Sequence, residues 1–328
     1  MIISRTPLRM SFVGGGSDLP AYYRRFGGAV VSTAINKFVY ITVNEKFDHR
    51  IRLSYSRTEE ASSVLRVKHP LVREAMKLLQ IEGGLEITSI ADIPSKGSGL
   101  GSSSSFTVGL LHALHAYSGR YASAEQLATE ACQIEIERCR EPIGKQDQFA
   151  AAFGGFNFIE FNPDESVFVE PILCKRETLQ RLQENLIVFY TGITRSASGI
   201  LKNQQAGLEL EKRKQEMLGR MVELARQLKT ELQKNNLDAF GEIIHTNWEL
   251  KKGLAREIST TVIDDWYNKA RKHGAVGGKL LGAGTGGFLM FYAPREKHEA
   301  VARALSDLRQ IEMRFEPQGS RIIFVHNE

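Results

Sequence analysis

Cysteine is scarce, with three residues in 328, and that excludes a disulfide framework. Cys132 and Cys139 stand seven apart in a segment with a helical pattern. A helix would separate their backbones by about 10 Å along its axis, too far for a bridge. Cys174 is isolated, and no Cys/His cluster has zinc-ligand spacing. Proline (9) and glycine (29) are too few for a collagen-like or low-complexity chain. No apolar run approaches the ~18 residues of a membrane helix, so no membrane association is expected. Arg5, Pro7 and Arg9 interrupt the opening residues before a hydrophobic stretch forms, so no secretory signal is expected. These absences predict a reduced, cytoplasmic chain.

Charge of one sign is also missing. Lys and Arg exceed Asp and Glu by 43 − 38 = 5, and no long basic run or aromatic-basic interleaving is present, so no nucleic-acid partner is expected. The small surplus suits a solvated surface or an anionic small substrate.

What is present is an ordinary globular composition, 42% hydrophobic and 25% charged. Leu8, Met10 and Phe12 alternate as in a half-buried strand, and residues 30–43 read as a long strand. Further strands are predicted over 51–55, 85–90, 156–161, 167–172, 186–190, 288–292 and 321–325. Helices are predicted over 70–79, 124–138 and 295–308, and one after the Gly/Ser loop 94–105 with Phe106, Leu110, Ala113, Leu114 and Tyr117 on one face. Leu218, Met221, Ala225, Leu228 and Leu232 form the apolar stripe of another. The polar segment 175–184 reads as a boundary. Strands and helices mix in both halves, so the fold class is α+β, divided into 1–175 and 176–328.

Four stretches carry chemistry. Residues 94–105 (Pro-Ser-Lys-Gly-Ser-Gly-Leu-Gly-Ser-Ser-Ser-Ser) set three glycines before four serines that open a helix. Glycines let backbone N–H groups wrap an anion, and a helix N-terminus adds unpaired donors. No Gly-Lys-Ser/Thr follows, so this is not a Walker A loop. Residues 282–287 spell Gly-Ala-Gly-Thr-Gly-Gly, but a strand rather than a helix follows, which excludes a dinucleotide fold. A tight turn, or a glycine wall against a ligand, remains.

Residues 142–149 hold Asp147, which suits either a helix cap or a proton acceptor for a hydroxyl. At 100° per residue Glu135 falls within the arc of Leu127, Ala128, Ala131 and Ile134, while Glu137 points away. An inward acid needs a partner, either Mg²⁺ or an ion pair with Arg138. Residues 7–18 place Arg9 on a strand, then Gly14, Gly15 and Gly16, then Ser17 and Asp18.

In this order and spacing, residues 7–18, 94–105 and 282–287 resemble the three motifs of the GHMP kinase superfamily, over nearly the whole chain. Within it, residues 7–18 and 141–149 resemble the D-glycero-D-manno-heptose 7-phosphate kinases. The resemblance implies a ribosomal-protein-like N-terminal domain and a ferredoxin-like C-terminal domain, with the site between them. It implies ATP and Mg²⁺ as cofactors and a small sugar phosphate as partner, phosphorylated at its anomeric hydroxyl in nucleotide-activated heptose biosynthesis. A homodimer is compatible with the sequence, which does not fix the oligomeric state.

Residue by residue, Asp147 matches the acid facing the acceptor hydroxyl and Arg9 the base beside the reacting phosphate. Ser103 and Glu135 match the Mg²⁺ ligands, with Ser102 replacing Ser103 if the serine run is shifted by one. Lys96, Gly97, Ser98, Gly99, Leu100, Gly101, Ser102, Ser103 and Ser104 would cradle ATP phosphates. Asp18, with Gly15, Gly16 and Ser17, would hold the sugar, as would Gly284 and Thr285. Galactokinases have Glu-His where this chain has Gly15-Gly16, which argues against galactose and leaves room for a larger sugar. Arg195 and Lys145 are the two candidates for a distal phosphate on the acceptor. A noncatalytic binder of the same fold has no need of Asp147, Glu135 and Arg9 together. An RNA-binding protein would show a salt-dependent shift on RNA instead of ATP turnover.

Overall fold

The computed structural model describes residues 1–93, 97–193, 201 and 211–326. The chain opens with β1 (Ile2–Val13), α1 (Pro20–Phe26) and the long β2 (Gly28–Glu45). There follow β3 (Ile51–Ser54), β4 (Thr58–Ala61), α2 (Pro70–Leu78), β5 (Leu85–Ala91), α3 (Ser102–Tyr117), α4 (Ala124–Cys132), α5 (Gln146–Phe153), β6 (Phe156–Phe161) and β7 (Val167–Pro171). The remainder comprises α6 (Arg176–Glu184), β8 (Leu186–Tyr190), α7 (Lys212–Gln233), α8 (Phe240–Lys252), α9 (Thr261–Lys272), β9 (Gly277–Leu280), β10 (Phe288–Tyr292), α10 (His298–Ala304), β11 (Arg309–Gln310) and β12 (Arg321–Val325).

Two sheets organise these elements. The first runs β12-β1-β2-β5-β3-β4, with β6 also on β2 and β7 on β6, and only β3 and β5 are parallel. The second is antiparallel, in the order β11-β8-β10-β9. This is the expected α+β class. The division at 175/176 did not anticipate that β12 returns to the first sheet and pairs with β1, Ile2 opposite Val325.

β1 is not half-buried. Every side chain from Pro7 to Val13 is buried, because α3, α7 and α8 all pack against the strand. α3 comes so close that a Cβ on Gly109 would lie 2.7 Å from the Thr6 hydroxyl, and the Gly109 carbonyl accepts from Ser4 at 2.7 Å. α3 is accordingly buried on most of its circumference, not on one face. The stripe of α7 is buried as expected. The polar segment 175–184, read as a boundary, forms α6, which buries Thr178 and Leu182. The predicted helix 124–138 is α-helical to Cys132 and then widens into a π-helix, Gln133–Arg138. Among the described residues no helix is long and apolar enough to cross a membrane.

Candidate active site

Gly97, Gly99 and Gly101 have φ of +70°, +74° and +77°. Alternate left-handed residues are costly for any side chain, which is why glycine recurs at every second position. The loop ends at Gly101, the residue before α3, which has no side chain to cap the helix. The N–H groups of Ser102, Ser103 and Ser104 therefore open the helix without a side-chain cap, an arrangement suited to an anion.

Arg9 reaches this loop from β1. It is 5% exposed, and its Nη1 donates to the Gly99 carbonyl at 2.7 Å. Its Nε and Nη2 donate to the two carboxylate oxygens of Asp147, each at 2.7 Å. Asp147 stands in the first turn of α5 but does not cap it. Its carboxylate is spent on Arg9, and the pair lies beside Gly101, whose Cβ would be 3.3 Å from both side chains. The Asp147 side chain keeps 24% of its surface exposed, so one edge remains open to a small molecule.

Glu135 is fully buried. Ser103 donates to its Oε1 at 2.9 Å, and Ser104 and Gln148 donate to its Oε2 at 2.8 and 2.6 Å. Burial pushes its carboxyl up to about 7 against these three hydrogen bonds, and the charge of Asp147 adds to the rise. Glu137 is exposed. The alternative ion pair does not form: Arg138 lies 4.0 Å from Glu74 instead. Of the two serines weighed as its neighbour, Ser103 bonds Glu135 and Ser102 faces Ser98 at 2.9 Å.

A carboxylate and a hydroxyl are hard oxygen donors. Mg²⁺ takes oxygens at about 2.0–2.1 Å in octahedral geometry and is held by one or two carboxylates plus substrate phosphates. A buried carboxyl with a pKa raised to about 7 favours a cation beside it. The Ser103–Glu135 pair therefore fits that ion.

Gly14 and Gly16 turn with φ of +89° and +108°, and Asp18 follows, 2% exposed. Asp18 accepts from the Gly16 N–H at 2.9 Å, the Gln146 N–H at 3.2 Å and the Gln146 side-chain amide at 3.0 Å. Burial raises its pKa, opposed by the Gly16 N–H. A Cβ on Gly144 would lie 2.0 Å from the Asp18 carboxylate, so Asp18 holds the loop that delivers Asp147.

Several predicted residues have other partners. The Ser17 hydroxyl exchanges hydrogen bonds with the backbone of Ala29 at 3.1 Å. Leu100 is a core side chain, and only its backbone serves the loop, its carbonyl accepting from the Arg9 N–H at 3.0 Å. Lys145 bonds the Glu165 carboxylate and lies over the Tyr23 ring at 4.8 Å. Gly284 and Thr285 are pressed against Ile258: a Cβ on Gly284 would be 2.7 Å from its Cα, and the Thr285 N–H donates to its carbonyl.

The 282–287 turn is tightly built, as one of its two readings expected. It packs backbone on backbone against the first glycine loop, where a Cβ on Gly282 would fall 2.4 Å from the Gly99 Cα and one on Gly287 2.4 Å from the Ser98 carbonyl. Lys96 and Arg195 lie outside the described residues.

Three residues escaped the sequence reading. Lys251 donates to the Gly282 carbonyl at 2.6 Å, and Lys279 to the Ser11 and Phe12 carbonyls at 2.7 and 3.2 Å. Asn247 accepts from the Gly14 N–H at 3.1 Å. The signal was there in α8: Ile244, Asn247, Trp248 and Lys251 share one helix face, with two polar residues inside an apolar stripe.

The family model described as the GHMP kinases N terminal domain matches residues 67–155, and that described as GHMP kinases C terminal matches 228–310. The chain is 29% identical over 325 residues to a D-glycero-alpha-D-manno-heptose 7-phosphate kinase of Campylobacter jejuni, covering 93% of each protein. A galactokinase of Pyrococcus furiosus is 27% identical, with 93% of this chain and 92% of that one covered. Among solved structures, a D-glycero-D-manno-heptose 1-phosphate kinase from Bacteroides thetaiotaomicron superposes with a TM-score of 0.82 at 26% identity, over the full length of both chains.

Proposed function

The chain belongs to the GHMP kinase family, is a sugar kinase, and from that footing we propose that it transfers the terminal phosphoryl group of ATP to the anomeric C1 hydroxyl of D-glycero-D-manno-heptose 7-phosphate. The observation that carries this reading is the Arg9–Asp147 pair at the mouth of the glycine loop. One carboxylate that can take a hydroxyl proton is fixed beside one cation and beside the unpaired donors of a helix N-terminus. Phosphoryl transfer asks for that combination, because positioning and charge neutralisation do most of its work.

In this reading Asp147 orients the C1 hydroxyl and accepts its proton as the oxygen attacks phosphorus. Arg9 and the N–H groups at the start of α3 stabilise negative charge on the transferred group. Asp18 and the Gly14–Gly16 turn bound the sugar. Mg²⁺, held at Ser103 and Glu135, would neutralise charge on the triphosphate.

The heptose is supported by the Campylobacter jejuni relative, whose name specifies the 7-phosphate sugar. The name of the Bacteroides structure puts a phosphate at position 1 of the same sugar. The position of the new phosphate is therefore what the test must read. Purified protein is incubated with ATP, Mg²⁺ and a panel of sugar phosphates, and the product is read by phosphorus NMR. A 1,7-bisphosphate with the heptose 7-phosphate is expected. Turnover of another sugar alone, or phosphorylation away from C1, rejects the proposal.

A further inference from the structure

Lys251 is a buried cation that the site as described leaves unused. It is 6% exposed, and its one described hydrogen bond is to the Gly282 carbonyl. An ammonium in such a place needs a counter-charge or loses much of its stability. Its surroundings are short of one. Arg9 adds a further cation nearby, and the buried Lys279 amine, its pKa pushed well down by burial, lies close as well. Asp18 and Asp147 are the carboxylates that act on Lys251. Asp147 is already taken by Arg9, and Asp18 is occupied by Gly16 and Gln146. Both carboxylates are thus committed elsewhere and the Lys251 ammonium is left with one carbonyl, an environment that suits an anion.

The backbone route fixes where that anion sits. Lys251 holds the Gly282 carbonyl, Gly282 touches Gly99, and the Gly99 carbonyl holds Arg9. The Lys251 ammonium is therefore tied, through Gly282, to the same loop as the Arg9–Asp147 pair, by a helix of the second half of the chain. We propose that Lys251 is a second catalytic cation, which contacts the phosphoryl group in transfer and works alongside Arg9. This rests on the kinase reading above. It also explains the glycine turn 282–287: Gly282 presents its carbonyl to Lys251 while leaving no side chain between the ammonium and the phosphate loop.

Burial, and then the charge of Arg9, lower the Lys251 pKa to about 8, with Asp18 and Asp147 opposing. Free enzyme should thus lose the useful cation above that pH. The test is steady-state kinetics of the full chain with ATP, Mg²⁺ and whichever sugar phosphate the wild type accepts. Lys251→Met, which keeps the volume and removes the charge, is expected to lower kcat about 10²-fold. Affinity for a non-hydrolysable ATP analogue, measured by calorimetry, should change much less. The remaining activity of the variant should lack the alkaline fall of kcat/KM near pH 8 that the wild type shows. If Lys251→Met does not fold, Lys251→Gln is read in the same two ways. A variant with kcat within about threefold of wild type, or a slow one that keeps the alkaline fall, overturns the inference while leaving the kinase reading intact. A wild type that consumes no ATP with any sugar phosphate takes both down together.

Discussion

Arg9 holds Asp147 by two parallel hydrogen bonds of 2.7 Å while its third donor group grips the backbone of Gly99. One guanidinium therefore sets the acceptor-facing carboxylate and the phosphate loop in a single frame. Lysine has a point charge and no fork. Arg9→Lys is expected to lower kcat by about 10–10²-fold, the loss of one or two charge-assisted bonds. Comparing kcat with ATP-analogue affinity checks it. A variant with unchanged turnover would show that charge alone suffices.

Asp147→Asn keeps the shape and removes the proton acceptor. Nucleotide binding should persist while turnover falls by about 10²–10⁴-fold. Near-normal kcat in a folded variant would remove Asp147 from the chemistry.

Glu135 makes metal-free stability depend on pH. Its carboxyl is raised from 4.5 to about 7 by burial. Between those values the folded state binds a proton that the unfolded state does not, so stability falls as pH rises through the window. The penalty is complete above about pH 7 and on the order of 3 kcal/mol. Glu135→Gln should therefore unfold later than wild type at pH 8 without metal, with the difference vanishing near pH 4. Glu137→Gln, on the exposed side, should leave both curves unchanged. Denaturant midpoints with and without Mg²⁺ decide this, and added Mg²⁺ should stabilise wild type but not Glu135→Gln.

Gly99→Ala meets two obstacles, a φ of +74° and a Cβ 2.2 Å from the Leu281 carbonyl. A loss of about 2–4 kcal/mol is expected. Gly119 has a similar φ of +67° with open space around it, so Gly119→Ala should cost only about 1 kcal/mol. Equal losses in denaturant unfolding would mean that the two glycine loops separate easily.

Much of this site was legible beforehand because its residues cluster in sequence. Arg9, Asp18, Glu135 and Asp147 each sit in a stretch with its own pattern of glycines, serines or helical arcs. The contrast between buried Glu135 and exposed Glu137 followed from helix geometry even though the helix widens there into a π-turn. Arg138, which the same geometry left as a partner for Glu135, is exposed and lies near Glu74. Lys279 stayed hidden because its role depends on packing, whereas Lys251 had left a signal in the polar pair that interrupts the apolar face of α8. A lysine among apolar neighbours reads as a solvated surface residue until the tertiary fold shows that it is buried, as Lys279 is. Lys145 misled for the opposite reason. Its neighbour in sequence is the active site, but its partner, Glu165, is brought beside it only by the fold. Glu165 would be raised by burial alone, and Lys145, Tyr23 and Arg24 bring it down to about 2 instead.

The pairing of β12 with β1 bears on how the molecule is made. The Met1 amino group donates to the His326 carbonyl, across 325 positions of sequence. During synthesis β1 therefore waits, with one edge bare, until the last strand emerges. Contacts this distant close slowly, and a bare strand edge invites the wrong neighbour. Fragments that stop before residue 321 would retain the residues of the phosphate loop but present that edge permanently. They should be more prone to aggregate than the chain that carries β12.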